Sequence, residues 1–287
     1  MINKKKLSII AGILFIIGIA GSLITYRFVA PEPFSEEKVI NNKQVSIVNI
    51  DTDNVRVNIS PATDNMVKVT LDGKTSYNIE RSFATNVKDS TLFITYNEKQ
   101  RSWINLDIFD VLEPITLNVY LPEKQYDSLK VSSDNGYIFV KQLKVTHFDI
   151  NTDNGRVELK DIYSQNIHAE SNNGRMDLKD IMAQNIQVKT DNGRIILDRV
   201  EGKLEGKTNN GSISLITEEL DRNINFDTNN GSISIKTEKE PTNVQFNVSV
   251  GNGKVNILNK YNGNAVIGNG ENLIMLTTHN GSISVLK

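Results

Sequence analysis

The chain has no cysteine. That excludes disulfides, thiolate metal sites, a cysteine nucleophile and a lipid-attachment thiol together. Only six prolines and one tryptophan occur in 287 residues, and alanine and leucine are not abundant, which argues against disorder and against a helical bundle. A net charge of −2 gives no electrostatic reason to expect a nucleic-acid partner. The three histidines, His147, His168 and His279, share no offset, and no HExxH, GxSxG or phosphate loop occurs. No metal and no cofactor is expected. What remains is strand and turn chemistry: Asn, Ile, Val, Thr, Ser and Gly.

The first residues form a different polymer. Lys4, Lys5 and Lys6 precede an uncharged run of eighteen residues, Leu7–Ile24. At 1.5 Å per residue it spans about 27 Å, against about 30 Å for a hydrocarbon core. Tyr26 and Phe28 fall at the far interface, and the lysines mark the cytoplasmic side. A single transmembrane helix over 7–28 is expected, with 1–6 cytoplasmic and the rest extracytoplasmic. A cleaved signal peptide is the competing reading. Residues 29–44, polar and carrying two prolines, read as a linker.

From there one unit repeats. Its glycines are Gly136, Gly155, Gly174, Gly193, Gly211, Gly231, Gly253 and Gly281, in steps of 19, 19, 19, 18, 20, 22 and 28. Each follows an asparagine: Asn135, Asn154, Asn173, Asn192, Asn210, Asn230, Asn252 and Asn280. Apolar residues recur seven and five before the glycine, as in Ile186 and Val188, and two and four after it, as in Ile195 and Leu197. Three before stands Ser or Thr in every unit but one, which has Val250. That is period two on both sides of a turn, hence two half-buried strands per unit.

Asn-Gly between alternating strands is also the strongest hairpin signal, so an antiparallel meander competes. The fixed offsets favour an all-β parallel β-solenoid of about 19–20 residues per coil, in which each offset becomes a column at about 4.8 Å spacing. The asparagines should then form an amide ladder. The glycines should supply φ > 0 at the corner, and the Ser/Thr offset should form a hydroxyl ladder. A lone coil cannot outweigh the entropy of ordering its backbone, so stability must come from coil-on-coil contact. The regular solenoid is expected over 129–287, as part of a rod of roughly nine to twelve coils, about 45–60 Å long. Residues 45–128 fit the period poorly and read as irregular coils or an N-terminal cap. There Val55 stands where the glycine should be and Trp103 is assigned to the cap core. At the far end the chain stops on its last coil, whose open edge is shielded by the irregular segment 254–280 or by a partner.

The stretch VYLPEKQYDSLKVSSDNGYIFV, followed by NGRIIL and NGSISL units, is similar to the DUF4097 family over about residues 40–287. The family carries an adhesin label and includes LiaG-like membrane-anchored proteins of Gram-positive bacteria linked to envelope stress. The resemblance implies an extracytoplasmic β-solenoid of the cell envelope and brings no catalytic residues with it.

Chemistry beyond the fold is thin. Asp149–Gly155 spaces oxygens like the start of an EF-hand loop, but its glycine is one residue late and Lys160 stands at the last ligand position. One after the glycine, Arg156, Arg175 and Arg194 stack in consecutive coils beside Glu158 and Asp177. These arginines are the candidate ligand-binding residues, a basic strip for a phosphate-bearing envelope polymer or lipid headgroup. A solvated face of ion pairs is the plainer reading. Glu158 and Asp177 are also neighbouring carboxylates, as a glycosidase requires, but flanking cations and a flat face count against catalysis. The expected role is therefore non-catalytic: a binding or scaffolding module for a cell-wall polymer or envelope protein. A carbohydrate-active enzyme is the alternative, as is a membrane-partner subunit packing through Gly12, Gly18 and Gly21.

Overall fold

The computed structural model describes residues 4–29, 32–41, 44–75, 79–100 and 115–287. Trp103 lies outside them. The helix Lys4–Val29 precedes an all-β body. Its window Lys5–Ser22 is long and apolar enough to cross a membrane, and none of it is buried against the body.

The body is a parallel β-solenoid. Like strands lie over like strands: Ile195–Asp198 runs parallel to Met176–Lys179 on one side and to Ile213–Ile216 on the other. Because every coil keeps its offsets, buried side chains form columns. Leu178, Leu197, Leu215, Ile235, Val285 and Ile257 lie one over the next and are all buried. Size is matched across coils as well. A Cβ on Gly206 would lie 2.9 Å from the Phe226 ring, so the missing side chain in one coil makes room for the large one in the next.

A coil in the middle of the body carries three ladders. Val157–Lys160 lies over Met176–Lys179, Ile162–Ser164 over Ile181–Ala183, and Asn166–Ser171 over Asn185–Thr190. The first two meet at a corner where Gln142, Asp161, Asp180 and Arg199 have φ of 57°, 55°, 55° and 51°. Positive φ thus falls six residues after the glycine, on non-glycine residues. At Gly155, Gly174, Gly193, Gly211 and Gly231 the backbone has no positive φ. Glycine is needed there for a different reason. A Cβ on Gly193 would sit 1.8 Å from the carbonyl oxygen of Gly174, and one on Gly211 would sit 1.7 Å from that of Gly193. Close backbone approach between coils, not turn conformation, fixes this residue.

The asparagine column is continuous. Nδ2 of each donates to Oδ1 of the next, from Asn135→Asn54 at 2.6 Å through Asn154→Asn135, Asn173→Asn154, Asn192→Asn173, Asn210→Asn192 and Asn230→Asn210 at 2.8–2.9 Å. It then passes to Asn280→Asn230 and ends at Asn252→Asn280, both 2.9 Å. The hydroxyl offset forms no ladder of its own. Thr190, Thr208, Thr228 and Thr278 donate instead to the glycine carbonyl of the neighbouring coil at 2.8–3.1 Å. Val55 keeps its side chain in the core, and Asn54 still begins the amide column.

The order of coils departs from the order of sequence at both ends. The final coil, Asn272–Asn280 with Ile283–Leu286, lies between the Gly231 coil and the Gly253 coil. It is interior, so the last coil is not the end of the stack that the sequence led us to expect, and the irregular segment covers a different coil. The outermost coil is Val244–Asn252 with Val255–Ile257, covered along Val244–Phe246 by an antiparallel strand, Ala265–Ile267. Likewise Ile47–Asn54 and Arg56–Pro61 lie between the Gly136 coil and the pair Thr91–Gln100 and Thr116–Leu121.

The segment expected as a linker carries a strand. Glu32–Ile40 pairs antiparallel with Val67–Thr75, which pairs with Thr116–Leu121. Phe34 and Ile40 pack on the core, and Pro33 is tolerated because the strand is at an edge. The other sheet ends in Ile79–Lys88, paired with Thr91–Gln100. Side chains join the two edge strands. Arg81 lies 3.4 Å over the Phe34 ring, and Lys38 lies 4.2 Å over the Phe83 ring while donating to the Phe83 carbonyl at 2.8 Å. Charged, side-chain-bridged edges resist pairing with another chain.

Gly193→Ala should lower the urea midpoint by an amount equivalent to about 3 kcal/mol or more, because backbone must move to admit the methyl. Gly263→Ala, where nothing lies within 4 Å of the added carbon, should stay within about 0.5 kcal/mol. Equal effects in denaturation monitored by circular dichroism would refute the stacking constraint.

Candidate functional site

The arginine column is present and longer than its three expected members. Arg56 occupies the same offset after Val55, and Tyr137 after Gly136. The guanidinium carbons of Arg56 and Arg156 lie 5.5 and 5.7 Å from the Tyr137 ring centre. Arg56 escaped the sequence reading because its coil lacks the marker glycine. The acidic row neutralises two of its members, Arg156 and Arg175. Asp177, almost buried, accepts from Arg156 Nε at 2.8 Å and from Arg175 Nε at 2.7 Å. Glu158 accepts from Arg156 Nη2 at 3.0 Å and from the Tyr137 hydroxyl at 2.7 Å. Burial, then the bond to Glu158, pushes the Tyr137 hydroxyl up to about 12. Arg194 is exposed and makes no ion pair among the described residues.

These contacts bear on catalysis. A glycosidase needs one carboxyl free to protonate and another free to attack. Here both are paired with arginines. The calcium-like stretch is similarly committed: Asp149 pairs with Lys130 at 3.7 Å and accepts from Asn151 at 3.2 Å, while Asp153 accepts from Asn172 at 3.0 Å. Among the described residues no cluster of three His, Asp or Glu could hold a metal.

A concave surface lies on another face, on the outer side of the strands that precede the asparagine corner. A groove of about 410 Å³ crosses four coils there. His147 and Asp149 line it from one coil, Asn166 and His168 from the next, Asn185 and Gln187 from the third, and Lys203 and Glu205 from the fourth. Phe148, Ile167 and Ile186, which point inward to the core, contribute its floor. His147 and His168 differ by two in offset, and two residues along a strand return to the same face. The structure therefore brings together two histidines that offset matching had separated. Asn185 donates to Asn166 at 2.9 Å, and Asn166 lies 3.3 Å from His147 Nδ1, a second and shorter polar column. His168 Nε2 lies 3.4 Å from Glu170. A smaller hollow of about 210 Å³, lined by Glu170, Lys189, Asp191, Lys207 and Asn209, continues along the same strands toward the asparagine corner.

Such a groove presents donors and acceptors of both signs at the coil spacing, over about 14 Å. The class defined is a helix-preceded parallel β-solenoid built on an asparagine–glycine corner. The chain belongs to the Toastrack DUF4097 family, whose model matches residues 45–286. Among solved structures it is similar to a candidate lipid-binding protein from Parabacteroides distasonis, with 17% identity, TM-score 0.49, and coverage of 90% of this chain and 98% of that one. It is also similar to a candidate adhesin from Parabacteroides merdae, with 11% identity, TM-score 0.44, and coverage of 89% and 95%. A candidate cell adhesion protein from Clostridium sporogenes shows 14% identity, TM-score 0.36, and coverage of 89% and 99%. No curated protein matches the chain.

Asp177→Asn should release Arg175 and leave Arg156 to Glu158 alone. Retention on a polyphosphate column at low salt should rise above that of the unaltered chain, with a stability loss of about 1 kcal/mol or less. Equal retention of both proteins would mean that the acidic row does not mask the arginines.

Proposed function

We propose that this protein is a non-catalytic binding module of the bacterial cell envelope, held to the membrane by its N-terminal helix with the solenoid on the outer side. The groove of His147, Asn166, His168, Asn185, Gln187 and Lys203 is its ligand surface. The ligand is a hydroxyl-rich cell-wall polymer lying along the coil axis. The observation that carries this reading is the groove's composition. Amides and imidazoles both donate and accept, as hydroxyl recognition requires, and the few charges are of mixed sign, which disfavours a uniformly charged polymer. The columns offer the same kind of contact coil after coil, which suits a repeating ligand. The apolar helix supports anchorage, and the three lysines before it support a cytoplasmic start.

The arginine strip is a second surface. Arg194 with Arg175 would take a phosphate-bearing polymer only where the ligand displaces Asp177, so it ranks below the groove.

The full chain in detergent micelles should co-sediment with purified cell-wall glycan. Replacing His168, Gln187 and Lys203 together by Ala should weaken this at least about tenfold, and Arg156→Gln with Arg175→Gln should not. Glycan binding that is insensitive to the groove variant would overturn the assignment. On intact cells, protease should remove the solenoid from outside; a protected solenoid would overturn the topology.

A further inference from the structure

The sequence holds ten Asn-Gly steps: the eight of the repeat, Asn262-Gly263 and Asn269-Gly270. Asparagine followed by glycine is the pairing most open to attack by the main chain on the side-chain amide. The Gly nitrogen bonds to the Asn Cγ, its proton is lost, and the Cγ–Nδ2 bond breaks to release ammonia. Water then opens the resulting imide at either carbonyl, giving aspartate or isoaspartate. The attack needs two things: an Asn side chain free to rotate and a Gly nitrogen free to approach.

Seven of the ten steps lack that freedom. Asn135, Asn154, Asn173, Asn192, Asn210, Asn230 and Asn280 each donate Nδ2 to one coil and accept on Oδ1 from the other. Rotation of any of them breaks two hydrogen bonds. Several of the nucleophiles are also engaged. The N–H groups of Gly193, Gly211, Gly231 and Gly281 donate to Asn carbonyls of the adjoining coil at 2.9–3.1 Å.

Asn252 is different because its coil is the last in the stack. It donates to Asn280, but no coil lies beyond to donate to its Oδ1, and the Gly253 N–H has no acceptor among the described residues. The core is thin at this end too: Val248, Val250 and Val255 are only partly buried. Asn262 and Asn269 lie in the segment outside that coil, and their side chains make no hydrogen bond among the described residues.

We infer that Asn252, Asn262 and Asn269 are the deamidation sites of this protein, and that the amide ladder shields the other seven Asn-Gly steps. The modification is thereby confined to the end of the rod remote from the helix. At Asn252 it replaces the amide donor with a carboxylate facing the Asn280 oxygen, and the isoaspartyl product adds a main-chain carbon at the corner. Both products detach the last rung.

The test ages the full chain in detergent micelles, in mildly alkaline buffer at body temperature. Peptide mapping by mass spectrometry, with chromatography that separates aspartyl from isoaspartyl peptides, follows all ten steps. Conversion is expected at Asn252, Asn262 and Asn269, with the seven ladder steps at least about tenfold slower. In denaturing urea all ten should converge on similar rates. Ladder steps reacting as fast as Asn262 in the folded chain would overturn the inference. So would Asn252 as inert as Asn192, or ladder steps that stay slow in urea.

Discussion

The regular part of the body rests on one close contact, the corner glycine of a coil against the carbonyl at the same offset in the coil beside it. Hydrogen bonding sets the coils about 4.8 Å apart. At that spacing the asparagine corner has no room for a Cβ, and the carbonyl that excludes it also accepts the buried Ser or Thr hydroxyl three residues upstream. With the corner fixed, the amide column comes into reach on one side of it. The apolar columns follow on the other, because every inward side chain inherits the same height in its coil. Surface features inherit it too. The arginine column and the groove are both consequences of residues repeating in step with the corner.

A parallel stack must also be finished at two ends, and the two finishes differ. At the helix end the sheets run out into antiparallel strands whose edges are tied by Arg81 on Phe34 and Lys38 on Phe83. Cation–π contacts of this kind add about 0.5–1 kcal/mol at exposed sites, while the charges discourage further strand addition. Among the described residues, the far end is covered by Ala265–Ile267 and by an amide, Asn264 Oδ1, that accepts from the Val248 N–H at 2.7 Å. One end is joined by charge and ring, the other by a short strap.

Much of this was legible in the sequence, for a physical reason. A solenoid writes its spacing as a period, so the glycine steps, the inward offsets and the asparagine column could be read directly. Four things were hidden. Counting along the chain assumes that neighbouring repeats are neighbouring coils, but Gly231, Gly253 and Gly281 carry one code and fit in any order. The edge strand Glu32–Ile40 does not alternate cleanly, since an edge must carry charge, and so it resembled a linker. The positive-φ corner has no glycine. Its signal was the aspartate at Asp161 and Asp180, six residues past the marker, which a search for glycine turns passes over. The groove was missed because histidines were compared by identical offset, whereas a face of a strand is shared by every second residue.

The intercalated final coil has a consequence for biogenesis. A ribosome delivers the layers in sequence order, yet the slot between the Gly231 and Gly253 coils is filled by residues made after both of them. A nascent chain can lay down most of the rod while that slot stands open, its outer coil unsupported. The stack therefore closes only once Asn272–Leu286 has been made. A product that ends before Asn272 lacks the keystone rather than the tip, and the surfaces it leaves bare are those a quality-control protease would find first.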